Sequence, residues 1–289
     1  MPQSRIVSSQ PITKGWSTDK KYKVQLQDGR FGLLRIAERS SYERKRAEFS
    51  LAKNLSERDL PVARPEAFWL DEQFVYSLFE WLEGEDMAVL PSNLSDRQLY
   101  ALGCQAGQFL RKLHSLPIDQ SQRAWNSFYQ AKIDSKLAAY QAARHSYEND
   151  QVMLEFVRTH RHLLESRPIA YHHGDFHMGN FLLGLDGQLK VLDFDRHDIG
   201  DPWEEFNRLV FTAALSPTFA SGQIYAYFNG CIPTEFWSLL PLYLTVNSLG
   251  ALAWAEKVAP EQVLLMKRQA NQILDWYEEF SLRIPKWYR

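Results

Sequence analysis

Two short stretches constrain this chain more than any others: His173-Gly174-Asp175-Phe176-His177-Met178-Gly179-Asn180 and Val191-Leu192-Asp193-Phe194-Asp195. An Asp is followed by an Asn five residues later and by a second Asp thirteen residues beyond that. Between them, Phe181 to Leu183, a polar turn over 184–188 containing Asp186-Gly187, and Leu189 to Leu192 read as a hairpin. A hairpin folds its ends together, so Asn180 and Asp193 are expected side by side, with Asp175 on the loop before them. Amide and carboxylate oxygens grouped in this way suit a hard cation such as Mg²⁺, and one carboxylate is left to orient a hydroxyl.

The rest of the chain is long enough to build walls around such a cluster. Its 289 residues allow one large domain or two lobes, and 45% hydrophobic with 24% charged residues is an ordinary globular composition. The net charge of −2 offers no basic field for nucleic acid or an anionic membrane. Cys104 and Cys231 have neither disulfide-framework nor metal-type spacing, as expected in a reducing cytoplasm. Residues 1–10 lack an apolar signal core. The longest apolar run, Phe236 to Ala255, is interrupted by Ser238, Pro241, Asn247 and Gly250, so no membrane span is expected.

The first eighty residues read mainly as strands. Tyr22 to Leu26 alternates, Asp28-Gly29 is a hairpin signal, and Phe31 to Ile36 returns. Before them, the small polar loop from Ile12 to Asp19, with Gly15 and Ser17, reads either as a plain turn or as a loop covering phosphates; the Walker A spacing is absent. Ser40 and Glu43 have capping-box spacing ahead of a helix whose stripe is Ala47, Leu51, Ala52 and Leu55, and Glu48 falls among them. Phe68 to Leu70 and Phe74 to Phe79 form a second hairpin around an Asp71-Glu72-Gln73 turn.

Glu80 to Asp86 marks a change of regime, read as a hinge between a lobe of residues 1–80 and a helical lobe of 81–289. Ser95 and Gln98 cap a helix that ends at His114; further helices are expected over 151–165, 205–215, 220–228, 234–258 and 261–283. Asp201-Pro202 reads as an N-cap with proline at the first helical position, and Glu204 and Glu205 as first-turn acids.

The spacing of Asp175, Asn180 and Asp193 parallels the catalytic loop and metal-binding Asp of protein kinases. Together with the Leu110-Arg111-Lys112-Leu113-His114 helix end, the paired motif resembles the aminoglycoside phosphotransferase family, whose relatives include choline kinases and other small-molecule kinases. The resemblance covers essentially the whole chain. It implies an α+β, bilobal protein-kinase-like fold, with ATP or GTP as donor, Asp175 as catalytic residue, and Asn180 and Asp193 as Mg²⁺ ligands. It further implies that the backbone of Glu80 to Leu82 meets the purine and that Ser17 lies in the phosphate-covering loop. The strand position of the usual phosphate-contacting Lys holds Arg35, with Glu48 as its helix partner; Arg keeps the charge but not the shape of Lys.

The acceptor implied is a small hydroxyl-bearing molecule. From His172 to Arg208 eight acids face three bases, which suits a cationic acceptor such as an amino sugar or a quaternary amine. Asp198, Asp201, Glu204 and Glu205 are the candidates to meet it, with helix capping as the alternative role. Two other readings compete. A transition-metal hydrolase would draw on His172, His173, Asp175 and His177; a non-catalytic nucleotide binder would have no need of Asp175.

Overall fold

The computed structural model describes residues 5–13, 19–119, 121 and 124–289. Contacts divide the chain into two compact units, Met1–Met87 with Gly179–His197, and Ala88–Met178 with Asp198–Arg289. The expectation of a single boundary at 80–86 thus differs from the contacts: the segment carrying Asn180 and Asp193 packs with the strand-rich unit.

The first unit is built on an antiparallel sheet of β1 (Ile6–Ile12), β2 (Lys20–Leu26), β3 (Phe31–Glu38), β4 (Pro65–Leu70) and β5 (Phe74–Glu80), in the order β1-β2-β3-β5-β4. Side chains on a strand alternate between faces. Tyr22, Val24 and Leu26 of β2 therefore share one apolar face with Leu34, Ile36 and Leu78. The opposite face of β2 and β3 presents Lys21, Leu33 and Arg35. The β2–β3 turn works as expected, with Gly29 at a φ of 84° that favours glycine.

Strand β1 is absent from the expectation. Five of its seven residues are exposed and it lies at the sheet edge, so it carries no alternating apolar signal, and Pro11 is tolerated there.

Helix α1 (Tyr42–Ser56) lies against β4 and β5, with Phe49 in ring contact with Phe68 and Phe79 at 5.3 and 5.6 Å. Its buried stripe changes character along its length, from Lys45 and Glu48 to Leu51, Ala52 and Leu55. The capping box expected at Ser40 and Glu43 does not form; a 3₁₀ turn over Arg39–Ser41 leads into the helix, and the N-cap residue Ser41 makes no side-chain cap bond. The expected hairpin is present as strands Phe181–Gly184 and Leu189–Val191, and an unforeseen strand, Gly84–Asp86, pairs with the first of them.

The second unit is mainly helical: α2 (Asp96–His114), α3 (Trp125–Gln141), α4 (Asp150–His160), α5 (Leu209–Leu215), α6 (Pro217–Tyr227), α7 (Thr234–Val258) and α8 (Val263–Trp276). The Ser95–Gln98 capping box at the head of α2 is complete. Helices α2 and α6 approach so closely that a Cβ on Gly103 or Gly107 would sit 2.1 Å from a carbonyl oxygen of α6. Helices α3, α4, α7 and α8 enclose a core of Tyr129, Ile133, Met153, Val157, Tyr243, Leu249 and Ala270.

Helix α3 is missing from the expectation, which leaves 115–150 without an element. The last helix ends at Trp276 rather than 283, because Glu278, Glu279 and Phe280 all take left-handed backbone. Helix α7 continues through Pro241 and has the length and apolarity to cross a membrane, but 78% of its most apolar window is buried in the protein. Its apolarity is accounted for by the core. A two-stranded pair, Ala170–His172 with Asp198–Gly200, carries the loop that holds Asp175.

Candidate active site

A cavity of about 330 Å³ opens in the first unit. Its walls are Leu33, Ala52, Val62, Phe79, Leu182 and Val191, and one end is polar, with Lys21, Arg35, Glu48, Asn180 and Asp193. An apolar slot ending in a few convergent polar groups is the usual form of a small-molecule site. Glu80 and Leu82 also line it. The Glu80 N–H donates to Arg64 O and the Trp81 N–H to Phe31 O, whereas no hydrogen bond engages the Leu82 backbone among the described residues. Of Glu80, Trp81 and Leu82, Leu82 is therefore the one with both backbone groups to offer.

Local pairing explains why Asn180 and Asp193 meet. Phe181 pairs with Val191, and the Leu192 N–H donates to Asn180 O at 2.9 Å. The Val191 N–H donates to Pro61 O at 2.8 Å and ties the hairpin to the rest of its unit. Asp193 takes a left-handed φ of 61°, uncommon for a non-glycine residue and a recurrent feature of functional loops.

The polar end is dense in charge. Arg35 donates from Nε and Nη2 to Asp19 Oδ2 at 3.2 and 2.8 Å and from Nη1 to Glu48. Lys45 meets Asp19 at 2.5 Å, Glu48 at 3.4 Å, and Asp195. Lys21 Nζ lies 3.3 Å from Asp193 Oδ2. Burial by itself disfavours the Arg35 charge, but Glu48, Asp193, Asp19 and Asp195 outweigh it and hold the guanidinium protonated. Burial likewise tends to raise the Asp195 carboxyl, yet Lys45, Arg35 and Arg44 bring it below the usual range.

Asp175 belongs to the second unit. Its Oδ1 lies 3.0 Å from Arg208 Nε, an ion pair in which the N–H is not aimed at the oxygen, and 3.7 Å from His177 Nε2. The loop carrying it is held by Glu205, whose carboxylate accepts the N–H groups of His173 and Gly174 at 2.6 and 2.9 Å. Burial tends to raise the Glu205 carboxyl, but His114, His172 and His173 around it prevail and lower it.

Three of the four acids expected to face an acceptor are turned inward. Asp201 is fully buried, accepts from Arg167 and the Tyr243 hydroxyl, and caps the Trp203 N–H. Glu204 is buried and pairs with Lys132 at 2.9 Å. Glu205 serves the loop. Only Asp198 is exposed, 3.0 Å from His172 Nδ1. The capping alternative holds for Asp201, and Glu204 and Glu205 are, as expected, first-turn acids, of a 3₁₀ turn over Glu204–Arg208.

Arg35, Glu48, Glu80, Leu82, Asn180 and Asp193 thus line one cavity, while Asp175, Asp198, Asp201, Glu204 and Glu205 belong to the other unit. Ser17 lies outside the described residues. The sequence reading missed Asp19, Lys45, Asp195 and Arg208 as members of these networks. Lys21, which with Lys23 is the alternative to Arg35 that the sequence offers for the phosphate contact, lies on the face of β2 opposite Tyr22 and Val24 and directly across from Arg35. Both His172 ring nitrogens are taken, by Asp198 and by Asp201 O, which leaves neither for a metal ion. Among the described residues no group of three or more His, Cys, Asp or Glu side chains is arranged to hold a metal ion.

The fold recurs in solved structures. An amicoumacin kinase in complex with AMP-PNP, Ca²⁺ and Ami superposes with a TM-score of 0.66 at 16% identity, covering 98% of this chain and 93% of that one. The aminoglycoside phosphotransferase APH(4)-Ia gives 0.67 at 14% identity, covering 94% of each chain. The gentamicin complex of APH(2")-IIa gives 0.62 at 18% identity, covering 92% of each. The fold is the α+β protein-kinase-like fold of these enzymes. No curated protein sequence matches the chain. The family model that describes the phosphotransferase enzyme family matches residues 8–237. The chain belongs to the phosphotransferase enzyme family.

Proposed function

We propose that this protein is a small-molecule kinase that transfers the γ-phosphoryl group of ATP or GTP to a hydroxyl. The observation that carries the reading is that Arg35, Glu48, Glu80, Leu82, Asn180 and Asp193, read from sequence as nucleotide and metal contacts, line one cavity. In this reading the first unit takes the nucleotide and the second the acceptor. The purine occupies the apolar slot against the Leu82 backbone, and the phosphates run toward the polar end.

Asn180 and Asp193 offer hard oxygen donors there, and two protein ligands are a fitting number for Mg²⁺, which completes its shell with waters and phosphate oxygens. When bound, the ion supplies neutralisation of charge on the phosphate oxygens. The chain's own part is to position and to move one proton. Asp175 accepts a hydrogen bond from the acceptor hydroxyl and takes its proton as the new O–P bond forms and the bond from the γ-phosphorus to the bridging oxygen breaks, releasing the nucleoside diphosphate. Arg208 holds the Asp175 carboxylate in place.

The acceptor class is the open part of this reading. Aminoglycosides come first for testing, because several proteins of the same fold act on or bind them. Choline, amino acids and sugars come next, because the inward turn of Asp201, Glu204 and Glu205 weakens selection for a polycation. A coupled nucleotide-turnover screen over aminoglycosides, macrolides, choline, amino acids and sugars, with Mg²⁺ and ATP or GTP, identifies it. With the responding acceptor, Asp175→Ala is expected to lower kcat by about 10²- to 10⁴-fold while leaving nucleotide affinity largely intact. Full activity in that variant would overturn the role of Asp175.

A further inference from the structure

Among the described residues two cations line the cavity, Lys21 and Arg35. They stand opposite one another across the β2–β3 ladder. Their surroundings differ in a way that separates their roles. The Arg35 side chain is 7% exposed and its donors are directed at Asp19 and Glu48. Lys45, 2% exposed, is bound to the same two carboxylates. Asp19, Arg35, Lys45 and Glu48 form a buried set with two charges of each sign. Removing any one of them leaves the buried set a charge out of balance, which is destabilising. Three of the five Arg35 N–H donors are committed to Asp19 and Glu48, and Asp193 and Asp195 stand 3.8 and 3.7 Å from its Nη atoms, so a phosphate oxygen approaching Arg35 meets carboxylates on every side.

Lys21 is placed otherwise. Its ion-pair partner is Asp193 at 3.3 Å, and both side chains reach solvent, at 15% and 31% exposure. An ammonium has three donors on a flexible four-carbon stem, so one contact to Asp193 leaves others for phosphate oxygens. Like charges facing each other on a ladder are unfavourable, and here the neighbouring carboxylates offset that cost.

We propose that Lys21 of β2, and not Arg35 of β3, is the cation that contacts the nucleotide phosphates, and that Arg35 with Lys45 forms the buried frame holding Asp19 and Glu48. The inference rests on the kinase reading above. It moves the phosphate contact one strand over and makes the Arg at the strand-β3 position a structural residue.

The test measures binding of adenosine, ADP, ATP and GTP with Mg²⁺ to the full chain by calorimetry, alongside the thermal midpoint. Lys21→Met is expected to bind ATP about 10- to 100-fold more weakly, to bind adenosine as the wild type does, and to keep its midpoint. Arg35→Lys, too short to span Asp19 and Glu48 together, is expected to lower the midpoint by several degrees and to weaken ATP less than Lys21→Met does. The assignment is overturned if Lys21→Met binds ATP like the wild type, or if Arg35→Lys keeps its midpoint yet loses ATP binding more than Lys21→Met. A wild type that binds neither ATP nor GTP would instead sink the kinase reading itself, and the assignment with it.

Discussion

Asp193 shows how a single residue can be shaped by two demands. Its backbone sits at a φ of 61°, where a side chain costs on the order of 1 kcal/mol relative to glycine. Its carboxylate lies between Lys21 at 3.3 Å and Arg35 at 3.8 Å. A glycine would relax the backbone and an alanine would not, yet neither supplies the oxygens. Both Asp193→Ala and Asp193→Gly are therefore expected to lose the extra thermal stabilisation that Mg²⁺ adds to bound nucleotide. Asp193→Gly should be the more stable of the two by about 1 kcal/mol. Differential scanning of each variant with nucleotide, with and without Mg²⁺, separates the two effects; an undiminished Mg²⁺ increment would remove Asp193 from the ligand set.

At the scale of elements, the short turn Glu204–Arg208 serves three neighbours in succession. Glu204 meets Lys132, Glu205 holds two N–H groups of the Asp175 loop, and Arg208 pairs with Asp175 itself. Glu205→Gln keeps the shape but presents one acceptor oxygen and one amide donor to two N–H donors, so one of them is left unsatisfied, at a cost of about 1–3 kcal/mol. The variant should fold, with kcat lowered at least about tenfold and nucleotide KM little changed, because the loop it loosens lies outside the cavity proposed to take the nucleotide. A fall in nucleotide affinity equal to the fall in kcat would contradict that division. None of this was legible in the residues, where Glu204 and Glu205 read as ordinary first-turn acids. Local signals did reach the structure: the alternation of β2 and β3, the Asp28-Gly29 turn, the Ser95 capping box and the hairpin that joins Asn180 to Asp193. What escaped depends on tertiary partners. Strand β1 is polar because it is an edge, α3 is buried through Trp125, Tyr129, Ile133 and Tyr140 with no cap at Ala124 to announce it, and Arg35 is enclosed by carboxylates from three separate segments.

For the molecule as a whole, a buried histidine and a half-buried lysine in the helical unit pull stability in opposite directions with pH. His172 is pushed up to about 9: burial opposes its charge, but Asp198, Glu205 and Glu204 overcome it. Its folded pKa lies above the unfolded value near 6.5, so the stability it contributes is full below about pH 6.5 and is lost as pH rises through 9. Lys136 on α3 is brought down to about 7, first by burial and then by the charges of Lys132 and Arg208, with Glu204 opposing. Its folded pKa lies below the unfolded value near 10.4, so its protonation costs the native state stability below pH 7, and that cost is relieved between pH 7 and 10. Between pH 7 and 9 the native state holds an extra proton on His172 and lacks one on Lys136, and each contributes a slope of about 1.4 kcal/mol per pH unit at most, with opposite sign. The wild type is expected to be nearly flat across that window. Lys136→Met should uncover the His172 slope and lose stability as pH rises from 7 to 9. His172→Asn should uncover the Lys136 slope and gain stability over the same range, from a lower starting value. Urea unfolding at pH 7, 8 and 9 reads all three curves; parallel curves for the wild type and both variants would mean that neither group changes its protonation on folding.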